Sequence, residues 1–310
     1  MTISESLETF ANRNIEEFDQ NKGIQDASNA IRLSIGWDDA NEGLTLLGLF
    51  NKLLADPLAG DIEALIIGPW EEAYESGIQS FIDELVGKAN RLPRLCALFI
   101  GEMTYQECEI SWIIQGNYSA LWGCFPRLEL FRVRGSSELT LGEIHQESLK
   151  ELVIESGGLP SSVINEVTTA SLPNLEKLEL WLGDDNYGWE GDPLVILPLL
   201  ASTRFPKLTV LGLRDSMAAD QIAAMIVDSP LLEQLEELNL SLGTLGDEGA
   251  CALLNAPRIK KLKRLDLSHH YISDALAREL KQLCIEVDLS NKQKADEDDG
   301  ESYRYVAVSE

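Results

Sequence analysis

The chain has 310 residues, 52 of them acidic and 25 basic, for a net charge of −27. A surplus of that sign argues against nucleic-acid backbones and anionic lipid as general partners, while a basic protein partner stays open. No apolar run approaches the roughly 20 residues that cross a bilayer, and the opening Met1-Thr-Ile-Ser-Glu lacks the basic-then-apolar order of a secretory leader, so a cytoplasmic protein with no membrane partner is expected.

Residues 1–29 match no repeat, but Ile15 and Phe18 offer apolar side chains to a core. We assign this segment as an N-terminal cap over the apolar end of a stack. From Ala30 to residue 291 one short phrase, LxxLxL, recurs. Its near-copies Leu235-Glu-Glu-Leu-Asn-Leu240 and Leu262-Lys-Arg-Leu-Asp-Leu267 start 27 residues apart, a separation that signals a repeat architecture. Ten units follow, beginning at Ala30, Ile62, Leu95, Leu128, Leu149, Leu175, Leu208, Leu235, Leu262 and Cys284.

Within a unit the fourth and sixth positions alternate with polar or small residues, which is the period of a short strand with one buried face. Between strands the spacing turns helical: Leu46, Leu49, Phe50, Leu53 and Leu54 before Asp56-Pro57; Ile78, Phe81, Ile82, Leu85 and Val86; Ile222, Ala223, Ile226 and Val227 before Pro230. Strands joined in one direction by helices form a parallel sheet. The steps of 21 residues after Leu128 and 22 after Leu262 are too short for strand, helix and two turns, so a loop or a single turn is expected there. Residues 292–310 carry Asp296-Glu-Asp-Asp299 and then Tyr303-Arg-Tyr-Val-Ala-Val308, an acidic tail or a terminal strand.

Leu245-Gly-Asp-Glu-Gly-Ala-Cys-Ala-Leu-Leu254, followed by Ile259-Lys-Lys-Leu-Lys-Arg-Leu-Asp-Leu-Ser268, resembles leucine-rich repeats of the ribonuclease-inhibitor type. Three further stretches, Ile110-Ser-Trp-Ile-Ile-Gln-Gly116, Leu180-Trp-Leu-Gly-Asp-Asp-Asn-Tyr-Gly188 and Arg304-Tyr-Val-Ala-Val-Ser-Glu310, resemble a family of uncharacterised bacterial cytoplasmic leucine-rich-repeat proteins. The resemblance implies an α/β solenoid, curved, with parallel strands on the concave side and helices and loops on the convex side. It brings no biochemical activity with it. The general pattern places asparagine or cysteine at the ninth position, where this chain has Gly183, Ser216, Gly243 and His270, so glycine is expected to supply the tight turn by its backbone freedom.

Five cysteines (Cys96, Cys108, Cys124, Cys251, Cys284) form no CxxC pair, and only three histidines exist to complete a zinc site. Free, mostly buried thiols are expected, with Cys284 in a leucine's place in the tenth unit, and neither a metal nor a cofactor. His269 and His270 read as polar turn residues. No GxSxG, HExxH or phosphate-cradling glycine loop is present, and no catalytic residues are assigned.

Positions three, five and seven of each strand point away from the core onto the concave wall. There Arg32, Arg132, Arg134, Lys177, Arg214 and Arg264 face Glu151, Glu155, Glu179, Glu237, Asp266, Glu286 and Asp288, so the wall is nearly neutral. Units two to four instead present apolar side chains, a protein contact site if open and ordinary core if a loop or terminus covers it. Trp37, Trp70, Tyr187 and Trp189 all follow strands and gather at the strand C-terminal ends, the edge where parallel α/β proteins bind ligands. The expectation is a non-enzymatic scaffold that binds a partner protein through Ile66, Phe99, Leu130, Arg132 and Arg134 on the wall and Trp181, Tyr187 and Trp189 on the rim. The alternative, by fold analogy, is a regulator of a nucleotide-hydrolysing enzyme, GTPase-activator-like, offering Arg132, Arg134 or Arg214 to its partner.

Overall fold

Each repeat phrase from Ile62 onward becomes a strand that begins two residues into it, and the phrase at Ala30 one that begins with its first residue. The strands are β1 (Thr9–Phe10), β2 (Arg13–Glu17), β3 (Ala30–Leu33), β4 (Ala64–Ile67), β5 (Ala97–Ile100), β6 (Leu130–Arg134), β7 (Glu151–Glu155), β8 (Lys177–Gly183), β9 (Val210–Ser216), β10 (Glu237–Asn239), β11 (Arg264–Asp266) and β12 (Glu286–Asp288), with a separate hairpin of β13 (Asp296–Asp298) and β14 (Glu301–Tyr303). In this computed structural model, residues 3–298 and 300–309 are described; Met1 and Thr2 of the expected cap, and Asp299 and Glu310 of the expected tail, lie outside them. The result is a mixed α/β chain with a 12-stranded, mostly parallel sheet. The chain divides into two compact units, residues 3–154 with 170–172 and residues 155–169 with 173–310.

In the unit of residues 3–154, β2 to β6 pair in parallel and in register, so side chains of the same position line up across strands. Leu65, Leu98 and Phe131 form one such row and are all fully buried. The opposite, front face carries the rows Ile15, Ala30, Ala64, Ala97, Leu130 and Glu17, Arg32, Ile66, Phe99, Arg132. Ala30 pairs with Ala64, so the first unit is displaced by two residues from the expected register; a shift of two keeps every side chain on its face. The expected cap also adds β2 to the parallel array, while β1 folds back antiparallel upon it.

The helix Leu46–Ala55 starts where the Thr45 hydroxyl accepts the Gly48 amide and buries Leu46, Leu49, Phe50, Leu53 and Leu54. The helix Gln79–Gly87 packs against it, with Phe50 and Phe81 edge to face at 5.0 Å. Between β6 and β7 there is no helix, as the 21-residue step implies. Two buried glutamines satisfy carbonyls near that loop: Gln146 donates to Phe125 O at 2.9 Å and Gln115 to Arg134 O at 2.6 Å.

In the other unit, β8 to β12 are again parallel and in register, and Leu178, Leu211, Leu238 and Leu265 form a buried row. Each contributes about 2 kcal/mol by leaving water. The helix Ala219–Asp228 buries Ile222, Ala223 and Ile226 before Pro230. Three expectations fail here. The 22-residue step does hold a helix, Asp274–Leu280, because β11 and β12 are only three residues each and release chain for it. The left-handed residue of the turn is Gly183 in one unit but Asp215, Leu242, His269 and Asn291 in the next four, one position before the expected Gly243. And only Cys108 of the five free thiols is buried; Cys284 is exposed, just before β12 at the edge of the sheet.

Candidate functional site

The wall residues of the unit of residues 3–154 come together, but under cover. Ile66 and Phe99 are fully buried, because Leu7, Phe10, Ala11 and Ile15 from the N-terminal segment pack on the front face with Leu130 at its edge. The expected exposed apolar surface is therefore closed by the terminus. Arg132 and Arg134 lie over the Phe99 ring with their guanidinium carbons 4.5 and 5.4 Å from its centroid, Arg134 also donating to Met103 O. Arg32 pairs with the buried Glu102 at 2.7 Å; burial pushes that carboxyl up and the Arg32 charge opposes the shift.

In the unit of residues 173–310 the front face is polar. Glu179 accepts from Arg214 Nη1 at 2.6 Å and from the Trp181 indole at 2.8 Å, and Lys177 Nζ lies 3.6 Å away. Burial pushes the Glu179 carboxyl up, but Arg214, Lys177 and the two hydrogen bonds outweigh it and bring it down to about 2. Gly212 makes the crossing possible: a Cβ there would meet Glu179 Cγ at 2.9 Å. Trp181 is buried beneath Arg214, 4.8 Å from ring centroid to guanidinium carbon, so it is no open rim anchor. Tyr187 is half-buried in a 3-10 turn after Asp184, and Trp189 is fully buried. Their loop packs onto its own unit so closely that a Cβ on Gly158 would lie 2.4 Å from the Tyr187 carbonyl. Asp192 caps the following 3-10 turn at Leu194 with Pro193 behind it.

His269 and His270 are buried, each with a ring nitrogen 3.2 to 3.3 Å from a backbone carbonyl, and burial lowers both below the usual histidine range. The second also accepts the Ile272 amide, which is the turn role expected of it. Burial raises the Cys108 thiol to about 11. Burial thus disfavours the imidazolium form of both histidines and the thiolate form of Cys108.

An open site does lie at the strand C-terminal ends of the unit of residues 3–154. The loops after β3 and β4, joined by the one after β5, enclose a groove of about 770 Å³ floored by Ile35, Pro69 and Trp70. Trp37 is 82% exposed on its rim and Tyr74 52% exposed; Tyr105, next to the lining residue Gln106, is also exposed. Trp70 is locked in place by its indole donating to Ser76 O. Glu71 accepts the Leu46 amide, Asp39 the Gly36 amide and Glu107 the Thr104 amide, so the backbone fixes the acidic groups. Among the described residues, Glu71, Glu72 and Glu107 line the groove and no lysine or arginine does.

Among solved structures, a Bacteroides fragilis protein determined by a structural genomics consortium matches with TM-score 0.81 and 33% identity over 90% of this chain and 76% of that one. The chain belongs to the family of that protein. The family fold thus covers nearly all the elements described above. An internalin from Listeria monocytogenes aligns over 87% of this chain and 62% of its own at 16% identity, with TM-score 0.37. No protein-family model and no curated protein matches the chain.

Tyr74, Glu71, Glu72 and Glu107 are not among the residues expected from the sequence, where Trp37 is one aromatic among several. A signal existed. After three successive strands the chain runs Trp37-Asp-Asp, Trp70-Glu-Glu-Ala-Tyr-Glu and Tyr105-Gln-Glu, aromatic then acid each time. Residues 34–45, 68–77 and 103–112 together hold eight acidic residues and no lysine or arginine.

Proposed function

We propose that this protein is a non-enzymatic interaction scaffold, a leucine-rich-repeat solenoid whose strand-end edge in the unit of residues 3–154 takes a lysine- or arginine-bearing extended segment of a partner protein. The observation that carries this reading is the composition of the groove: exposed Trp37 and Tyr74 on the rim and carboxylates around them, with no cation of its own. Aromatic faces attract ammonium and guanidinium groups, and surrounding carboxylates raise the encounter rate with a basic segment. Extended segments bind best where the receptor is already formed, and the backbone ties of Glu71, Asp39 and Glu107 supply that. The arginines of the alternative, regulatory reading are engaged within the fold, Arg214 on Glu179 and Arg132 and Arg134 over Phe99.

Affinity capture compared between the wild type and a Trp37→Ala, Tyr74→Ala double variant tests this. The partner retained by the wild type should carry a basic segment that binds as a synthetic peptide, weakens with salt, and loses about 2 kcal/mol or more of binding in the double variant. A peptide that binds both proteins equally well removes the groove from the account.

A further inference from the structure

Residues Ile3–Ala11 cross the front face of their unit as a thin strap. Its anchors are Leu7 and Phe10, the latter with its ring 6.0 Å from that of Phe99. Ser4, Glu5, Ser6, Glu8 and Thr9 around them are exposed, so the strap has solvent on its outer side. Polar ties hold it at both ends: the Tyr105 amide donates to Ile3 O and the Leu7 amide to Glu102 Oε1, each at 2.9 Å, while Thr9 and Phe10 pair antiparallel with Asn14 and Arg13 and the Arg13 guanidinium donates to Ala11 O at 2.7 Å. A segment with so few buried anchors opens locally at a smaller free-energy cost than the sheet beneath it.

The face under the strap is built differently from a plain core. It keeps an ion pair, Arg32 with Glu102, at a place where Glu102 is almost wholly buried. Buried pairs of this kind contribute little stability compared with apolar packing. What Glu102 does is present a fixed acceptor to a backbone amide crossing the face, which sets the register of an extended chain. Alongside it, Ile66 and Phe99 form a continuous apolar strip with Arg32 and Arg132 at its ends, the row defined by the strand pairing. Bared, such a strip with polar ends has the make-up of a recognition surface.

We propose that this face is a recognition site for an extended segment bearing two bulky apolar side chains three residues apart, and that the chain's own Leu7-Glu-Thr-Phe10 occupies it in cis until a partner segment of the same kind replaces it. The site does not depend on the strand-end groove. A short tether gives the strap an effective concentration of roughly millimolar, so the intact chain hides the face from a micromolar competitor.

The probe is a fluorescein-labelled peptide of residues Ile3–Asn12, titrated into the full-length wild type and into a full-length Leu7→Ala, Phe10→Ala variant. The variant should stay folded by circular dichroism and bind the peptide at least about tenfold more tightly than the wild type, as loss of cis competition requires. The same peptide with both residues replaced by alanine should not bind. In the wild type, hydrogen exchange at Leu7 to Phe10 should run at least about tenfold faster than at Leu98 and Ile100 in β5. A folded variant that binds no better than the wild type overturns the proposal. So does a variant that fails to fold, or a strap that exchanges only as fast as β5, since either makes the strap an inseparable part of the core.

Discussion

The front faces of the two units occupy the same positions of the same repeat and reach opposite states. In the unit of residues 3–154 the row Arg32, Ile66, Phe99, Arg132 is apolar at its centre and covered by Phe10. In the unit of residues 173–310 the rows Lys177, Val210, Glu237, Arg264, Glu286 and Glu179, Gly212, Asn239, Asp266, Asp288 are mainly charged and are left largely half-exposed. Backbone periodicity decides which side chains share a face, and their chemistry decides whether that face is covered. A covered wall cannot recognise anything without first opening. The readings that survive are an open edge groove on one unit and a wall that its own terminus guards.

The largest expected effect comes from Phe99→Ala. Its ring is fully buried between Phe10 and two guanidinium groups, so truncation should cost about 3–5 kcal/mol in urea unfolding. A loss under 1 kcal/mol would mean the wall is not packed as described.

On the polar wall, Glu179→Gln should cost about 3 kcal/mol near pH 7, the free-energy equivalent of lowering its carboxyl from 4.5 to about 2. Because the folded value lies below the unfolded one, this stability is present above pH 4.5 and disappears as pH falls towards 2. The variant should therefore lose part of the acid limb of the stability curve; an unchanged limb would show that Arg214 and Lys177 do not hold the charge.

A third, smaller effect concerns Asp215, which is fully buried in the left-handed region and accepts the amides of Ala307 and Val308 at 3.1 and 3.0 Å. Burial raises its carboxyl well above the usual range against those two donors. A raised folded value means that this contribution is complete at low pH and fades as pH rises through it. Exchange protection at residues 306–308 should thus weaken with rising pH in the wild type. It should be independent of pH in Asp215→Asn, which keeps the acceptor, and be lost in Asp215→Ala at a cost of about 1–2 kcal/mol. The smallest stability effect belongs to Trp37→Ala, expected within about 0.5 kcal/mol of wild type because the ring is solvent-facing.

Leucine spacing made most of this fold readable: the parallel direction, the buried row Leu178, Leu211, Leu238, Leu265, and the helices around Phe50, Phe81 and Ile222 follow from periods of 2 and 3.6 residues. What periodicity cannot encode is which distant segment lands on which face. Leu7 and Phe10 lie some ninety residues from Glu102 and Phe99, and only the folded chain brings them together. For the same reason Ile66 and Phe99 read as exposed anchors. Trp181 and Trp189 differ again: Trp181 lies within β8, where the Glu179 carboxylate two residues away accepts its indole, and Trp189 is buried although it follows that strand. The turn residues Leu242 and His269 carried no local signal for a left-handed backbone, which side chains without glycine's freedom adopt only when packing imposes it.

Hydroxyl-radical footprinting of the full chain, alone and with the captured partner's basic segment, shows whether the strand-end groove is where that segment binds. Trp37 and Tyr74 should label strongly in the free protein and be protected in the complex, and Phe99 should not label in either state. Labelling of Trp37 and Tyr74 that stays the same in a saturated complex, with protection confined to other residues, would contradict binding in the groove.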